Sequence, residues 1–265
     1  MGPEGWLSDK MLFLEIIIAL MGAAIGSFLN VCISRIPAGA SLVLPPSHCP
    51  KCLHPIRFYD NIPLVSYLIL GGKCRDCRAR ISFQYPLVEL GTALLALLLF
   101  WKFGLTLKLL AAFLFACVLI IITFIDLEHF IIPDILTLPG IPVFLLLAVF
   151  VMEVPLLDAI LGILIGGGIL YAIAWGYELL AKREGMGGGD IKLLAMLGAF
   201  CGWKSLFFIL FVGSLLGTLV GITVMLIKGK DLKYAVPFGP FLSLAALGYL
   251  FWGEGLLWLL FFRYA

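Results

Sequence analysis

The chain has 265 residues, of which 63% are hydrophobic and 13% charged, with a mean hydropathy of +1.14; these values exclude a soluble single domain and intrinsic disorder. Its 29 glycines follow no Gly-X-Y period, which excludes collagen, so lipid must solvate the bulk of the chain. A net charge of +2, from 18 basic and 16 acidic residues, gives no footprint for a nucleic-acid partner, and chemistry is to be sought where charges cluster.

Eight apolar segments predict membrane helices: Met11 to Ile33, Leu87 to Trp101, Leu109 to Ile125, Ile135 to Met152, Ala159 to Tyr177, Ile191 to Gly202, Leu206 to Ile227 and Val236 to Trp252. The sixth, a dozen residues, reaches only about 18 Å at 1.5 Å per residue. It must tilt, lie in thinned bilayer or be shielded by its neighbours. The first segment reads as a retained anchor: Glu4 and Asp9 make a poorly basic start, and no Ala-x-Ala site precedes Cys32 and Arg35. The predicted fold class is an all-α polytopic membrane protein of about eight transmembrane helices. Its domains are the first helix (1–33), a soluble loop (34–86) and a transmembrane core (87–265).

Charge sets the expected orientation. The loop after the first span carries Arg35, Lys51, Arg57, Lys73, Arg75, Arg78 and Arg80, and eight spans put Lys182, Arg183, Lys192, Lys228, Lys230 and Lys233 on the same side. The other side keeps Lys10, Lys102, Lys108, Lys204 and Arg263. The positive-inside rule therefore places the loop in the cytoplasm and both termini outside.

That loop is too small for a core of its own and needs a staple. Cys49-Pro-Lys-Cys52 and Cys74-Arg-Asp-Cys77 supply one: two C-x-x-C knuckles whose thiolates can meet at one tetrahedral ion. In a reducing cytoplasm structural zinc is expected and disulfides are not. A four-thiolate site has no open coordination position, so this zinc folds the loop and performs no chemistry. His48 and His54 are loop residues beside the knuckle, and Cys32, Cys117 and Cys201 are small packing residues.

Acids at the edge of spans are functional candidates. Asp126 closes the apolar run from Leu109, and Asp190 opens the sixth span after Gly187-Gly188-Gly189. Alone, each has a plain structural reading: Asp190 as a helix N-cap, Asp126 as a polar residue at a helix end. Together they suggest chemistry, because both fall at the cytoplasmic boundary and the glycines let a substrate backbone approach. Like charges at about 4 Å and an effective dielectric of about 20 repel by roughly 4 kcal/mol, so one of such a pair keeps a proton. That is aspartic-protease logic: the ionised partner takes a proton from water and the protonated one polarises the scissile carbonyl. Asp134, after Pro133, reads as the cap of the fourth span, and Glu15, Glu89 and Glu178 read as polar contacts between helices. No His-Glu-x-x-His, Gly-x-Ser-x-Gly, Walker or Rossmann motif is present.

Taken together, these residues resemble the bifunctional type IV prepilin peptidases (leader peptidase/N-methyltransferases) of bacterial pilus and type II secretion systems. The resemblance runs through Gly26-Ser-Phe-Leu-Asn-Val31, Arg35-Ile-Pro37, both knuckles, Asn61-Ile-Pro-Leu-Val-Ser-Tyr67, Gly71-Gly-Lys-Cys74, Tyr85-Pro-Leu-Val-Glu-Leu90, Asp126 to Asp134, Gly185-Met-Gly-Gly-Gly-Asp190 and Pro237-Phe-Gly-Pro240. It implies a multi-pass protein of the bacterial inner membrane with Asp126 and Asp190 as its catalytic aspartates. Such an enzyme removes the basic leader of prepilins or pseudopilins at the cytoplasmic face, typically after a glycine. It then methylates the new N-terminal residue, often phenylalanine, with S-adenosylmethionine. The resemblance also implies a role for Gly72 and Lys73 in methyl transfer; by themselves they read as a tight turn presenting Cys74. Three other readings are a peptidase without methyl transfer, a proton-coupled transporter, and a scaffold docking partners through the cysteine loop. A transporter would carry repeated span patterns and mid-bilayer acids, and neither is visible.

Overall fold

The structure, a computed structural model, describes residues 3–181, 187–228 and 236–257. Lys182, Arg183, Gly185, Met186, Lys230, Lys233 and Arg263, on which charge and motif readings drew, lie outside the described residues, as do the side chains of Glu178 and Lys228.

Among the described residues the chain is helical without strands. Its helices are α1 (Pro3–Arg35), α2 (Val65–Ile69), α3 (Gln84–Phe103), α4 (Leu107–His129), α5 (Asp134–Phe150), α6 (Leu156–Ala181), α7 (Gly188–Cys201), α8 (Trp203–Lys228) and α9 (Gly239–Leu257). Each apolar segment of the sequence falls mostly in one helix, although Val236 to Phe238 precede α9, and Val151, Met152 and Gly202 follow the ends of α5 and α7; inside the polar loop only the five-residue α2 and a 3-10 turn at Phe58–Asn61 arise. Five helices, α1, α3, α4, α6 and α8, are long and apolar enough to cross a bilayer; α5 and α9 are shorter apolar helices. The chain is a polytopic all-α membrane protein.

Glycines end two of these helices where the sequence turns: Gly104 (φ +62) follows α3 and Gly202 (φ +78) follows α7. Each returns its N–H to a carbonyl four residues back, as a C-terminal glycine cap does.

The chain divides into two compact units, Met1–Ile121 and Ile122–Ala265. In the first, α1 packs along α3. Gly22 and Gly26, one turn apart, let the helices meet closely: a Cβ on either would lie 2.8 Å from the Cα of Ala93 or Glu89. Polar ties fix the register, Asn30 Nδ2 donating to the Tyr85 carbonyl at 3.1 Å and Trp101 Nε1 to Glu15 at 2.9 Å. Glu89 is a polar contact between helices, as its sequence reading has it: buried against α1, it bonds the Ser27 side chain, and it also accepts the Leu64 N–H at 2.8 Å and so holds the loop as well. At the end of α1, the Arg35 guanidinium donates to the carbonyls of Ser41 (2.8 Å) and Pro45 (2.6 Å), folding the chain back.

In the second unit α7 lies at the centre, packed by α5, α6, α8 and α9. Every residue from Leu193 to Phe200 is buried. Its 14 residues span about 21 Å, and the surrounding helices provide the shielding that its shortness demands. The α6/α7 contact is backbone to backbone: a Cβ on Gly162 would fall on the Gly198 carbonyl, and one on Gly198 on the Gly162 carbonyl. Only glycine at both positions permits that approach. Lys192 Nζ reaches both Asp134 oxygens at 2.7 and 2.8 Å, tying α7 to α5. Asp134 is therefore not the cap the sequence suggested; Pro133 occupies the cap position, without a side-chain hydrogen bond, and Asp134 is an exposed ion-pair partner.

Candidate functional site

The four knuckle cysteines of the first unit converge, with all four Sγ atoms within 4.8 Å of one another. Their turns are built alike. Cys49 N–H donates to the His54 carbonyl and Cys74 N–H to the Ala79 carbonyl, while Leu53 and Arg78, each just after a second cysteine, share a left-handed φ of 58° and 57°. Short bridges, His48 with Pro55 and Lys73 with Arg80, close each knuckle at the same offset. The Cys49 and Cys77 sulfurs are 3.8 Å apart. An S4 tetrahedron with metal–sulfur bonds of about 2.3 Å has edges of about 3.8 Å, so the donor set and its spacing fit a tetrahedral ion. The amides of Cys52 and Lys51, which donate to the Cys49 sulfur, hold that thiol below its usual range and so favour the thiolate that a metal ligand must be. His48 and His54 remain outside the cluster. Asp60 and Arg75 brace the loop beside it through a bidentate pair, Nε to Oδ2 at 2.8 Å, and the guanidinium holds the Asp60 carboxyl below its usual range.

Gly72 and Lys73 lie at the turn into the second knuckle. Gly72 has a φ of +65°, and a Cβ there would stand 3.0 Å from the Tyr67 phenol. Its N–H donates to the Tyr67 carbonyl and its own carbonyl accepts from Ile81. The Lys73 side chain is exposed.

The second unit holds Asp126 and Asp190. Asp126 is not a residue at an exposed helix end: it is 5% exposed, and α4 continues to His129. Its Oδ2 accepts the Gly239 N–H of α9 at 2.9 Å, across 113 residues of sequence. Asp190 is not an N-cap. Gly187 occupies that position without a side-chain bond, and Asp190 is the third residue of α7. Its Oδ1 is buried and has no hydrogen-bond partner among the described residues. A carboxylate oxygen left so is costly in an apolar setting unless a proton, water or substrate satisfies it.

The carboxylates are electrostatic neighbours, the charge of Asp126 acting on Asp190. One side chain from the α4–α5 turn packs on the glycine beside each of them. Ile132 lies against Gly189, where a Cβ would stand 2.8 Å from its Cβ, and against Gly239, where a Cβ would stand 3.2 Å from its Cδ1. A Cβ on Gly239 would also lie 2.7 Å from Asp126 Oδ2. Neither Ile132 nor Gly239 was singled out as a site residue in the sequence. The signals available were that both fall in segments carrying the family resemblance, Asp126 to Asp134 and Pro237-Phe-Gly-Pro240, and that Gly239-Pro240 marks a helix start; none of these names the partner.

Residues 20–103 match the model of the bacterial peptidase A24 N-terminal domain, and residues 113–222 that of the type IV leader peptidase family. Three proteins named prepilin leader peptidase/N-methyltransferase are similar over nearly the whole chain. That of Pseudomonas aeruginosa is 39% identical over 94% of both chains. Those of Aeromonas salmonicida and Aeromonas hydrophila are 40% and 41% identical, each over 95% of this chain and 93% of the relative. No solved structure matches the chain. With both parts matched in order and relatives of this identity along its length, the chain belongs to the type IV leader peptidase family.

Proposed function

We propose that the protein is a bifunctional enzyme of the bacterial inner membrane that cleaves the leader from prepilins or pseudopilins and then N-methylates the new amino terminus. The observation that carries the peptidase reading is the approach of buried Asp126 on α4 and half-buried Asp190 on α7, 64 positions apart in sequence, whose neighbouring glycines Gly239 and Gly189 both pack on Ile132. Asp126 is the ionised partner, because the Gly239 N–H at the positive end of α9 stabilises a carboxylate. Asp190, whose Oδ1 lacks any other partner among the described residues, carries the proton. Asp126 takes a proton from water as the water oxygen bonds to the scissile carbonyl carbon, and Asp190 gives its proton to the carbonyl oxygen. The C–N bond then breaks with its electron pair on nitrogen, the proton held by Asp126 goes to the leaving amine, and a hydroxyl of the tetrahedral intermediate returns its proton to Asp190 as the carbonyl re-forms. Comparison with the named relatives favours neither the transporter nor the scaffold reading.

In the amino-terminal unit, Cys49, Cys52, Cys74 and Cys77 hold a structural zinc ion, which the 3.8 Å sulfur spacing supports. S-adenosylmethionine supplies an electrophilic methyl group. Gly72 and Lys73 would hold it, the turn offering backbone against the donor and the exposed Lys73 ammonium offering a cation to its carboxylate. The charge bias of the sequence supports a cytoplasmic zinc loop and cytoplasmic aspartates, with both termini in the periplasm.

The test is cleavage of a purified prepilin by the wild type and by Asp126→Asn and Asp190→Asn, with methylation of a pre-trimmed substrate measured in parallel. Loss of cleavage by at least about 10³-fold in each variant, with methylation retained, is expected. Cleavage at the wild-type rate in either would overturn the two-aspartate mechanism.

A further inference from the structure

The short helix α2 turns its apolar side chains out of the cysteine loop. Ser66 is buried, its hydroxyl donating to the Tyr59 carbonyl at 2.9 Å and accepting the Ile62 N–H at 3.1 Å, and the Tyr67 phenol lies against Gly72. These contacts fix the roll of the helix. Val65, Leu68 and Ile69 then form one outward stripe at i, i+3, i+4 spacing, with Leu68 and Ile69 77% and 75% exposed. Ile62, just before the helix, is exposed as well. A cluster of large aliphatic side chains pointing out of a metal-stapled polar loop marks a contact surface.

The membrane helix α3 sets the depth of this stripe. The Leu64 N–H, at the head of α2, bonds Glu89 Oε2 at 2.8 Å. Glu89 lies in α3 five positions after Gln84, about 8 Å along the axis at 1.5 Å per residue. Helix side chains lean toward the amino terminus, so α2 sits level with the head of α3, where the span enters the bilayer. Phe83, Leu87 and Leu90 are exposed along that same head, so the apolar surface of α2 stands at the level of one that lipid already solvates. The loop carries seven basic residues against two acids, Asp60 and Asp76. Arg75 is engaged by Asp60, but Lys51, Arg78 and Arg80 are exposed and make no ion pair among the described residues. Both ends of the loop continue into spans, so this charge stands at the membrane surface.

We propose that α2 is an interfacial anchor: its Val65, Leu68 and Ile69 side chains enter the headgroup region of an anionic leaflet, and the basic residues of the loop draw the zinc site onto that surface. Depth and charge together select lipid as the partner. The inference does not depend on the peptidase reading.

The test uses the full chain in lipid nanodiscs of phosphatidylethanolamine and phosphatidylglycerol, one chain per disc and no prepilin. A spin label on a non-natural residue at position 68 or 69 leaves the cysteines untouched. Its collisions with oxygen and with a water-soluble nickel chelate are expected to place it about 5–10 Å below the headgroup surface, shallower than the same label at Leu94 within α3. A label that stays in water overturns the proposal, and a label buried only on addition of prepilin or of a second chain per disc does so too, because the stripe then serves a protein partner. Replacing phosphatidylglycerol with phosphatidylcholine should quicken tryptic cleavage after Arg57 and Arg78 by at least about 5-fold; equal rates overturn the assignment to anionic lipid. Joint replacement Leu68→Ser and Ile69→Ser should quicken the same cuts in the original discs with zinc content unchanged. Loss of zinc there would show that the stripe packs the loop itself, and unchanged cutting would show that it holds nothing; either result overturns the anchor.

Discussion

Replacing Gly239 with alanine tests whether the α9 backbone positions Asp126. The new Cβ would stand 2.7 Å from Asp126 Oδ2, 3.3 Å from its Cγ and 3.2 Å from Ile132 Cδ1. Ordinary contact begins near 3.4 Å, so the carboxylate must retreat by about 0.7 Å. The Gly239 hydrogen bond, now 2.9 Å, would stretch toward the limit of hydrogen bonding. A hydrogen bond to a charged group is worth about 1.5–3 kcal/mol, which converts to a loss of roughly 10- to 150-fold in kcat. Binding contacts elsewhere are untouched, so KM should stay within about 3-fold. Initial rates of leader removal from purified prepilin in detergent give both constants. Methyl transfer to a pre-trimmed substrate, assigned to the other unit, serves as the control for folding. A variant with wild-type kcat would refute the positioning argument, and so would one whose cleavage and methylation fall together.

Serine at Cys52 or Cys77 should take bound zinc from about one ion per chain to nearly none, read by elemental analysis, and should weaken methyl transfer more than cleavage; unchanged metal content would refute the four-thiolate site. Gly198→Leu should lower Tm in detergent by at least about 5 °C, because its side chain cannot enter the Gly162 backbone contact. Gly168→Leu, on the same face-to-face helix pair but with nothing within 4 Å of a new Cβ, should leave Tm unchanged, and equal effects would contradict the close-packing account. Because Arg75 depresses the Asp60 carboxyl, the stabilisation from this pair is complete above the ordinary aspartate pKa of about 3.9 and is lost as pH falls through the lower folded value. Hydrogen exchange at residues 57–62 should therefore quicken below about pH 4 in the wild type, and Asp60→Asn should lack this acid-dependent step.

The helices were legible because most apolar runs are long, the dozen residues of the sixth excepted, and the loop between the first two is polar. Met11 to Ile33 or Leu206 to Ile227 offers no competing pattern. The cysteine site was legible for a different reason: two C-x-x-C turns carry their geometry locally, and the matched left-handed Leu53 and Arg78 complete it. What required coordinates was set by tertiary partners. Asp134 carries every local mark of a cap, yet Lys192, 58 residues away, claims it. Glu89 is the contact between helices that it looks like, through Ser27, but its second bond, to the Leu64 amide, could not be read from the sequence. Asp190 could not be told from an N-cap by spacing alone, since glycine and aspartate suit either position; the geometry assigns the cap to Gly187. The link from Asp126 to Gly239 crosses 113 residues and uses a backbone amide, a group every non-proline residue possesses, so no side-chain pattern announces it.

Ile132 belongs to neither acid-bearing helix, yet it touches the glycine beside Asp190 and the glycine that holds Asp126. It works as a shim between two glycines: one branched side chain in a short turn fills the space that the heads of α7 and α9 share. Trimming it to alanine would leave a void there, and a larger ring would press on both backbones. The packing beside both acids can therefore be retuned through one residue that neither acid-bearing helix contributes.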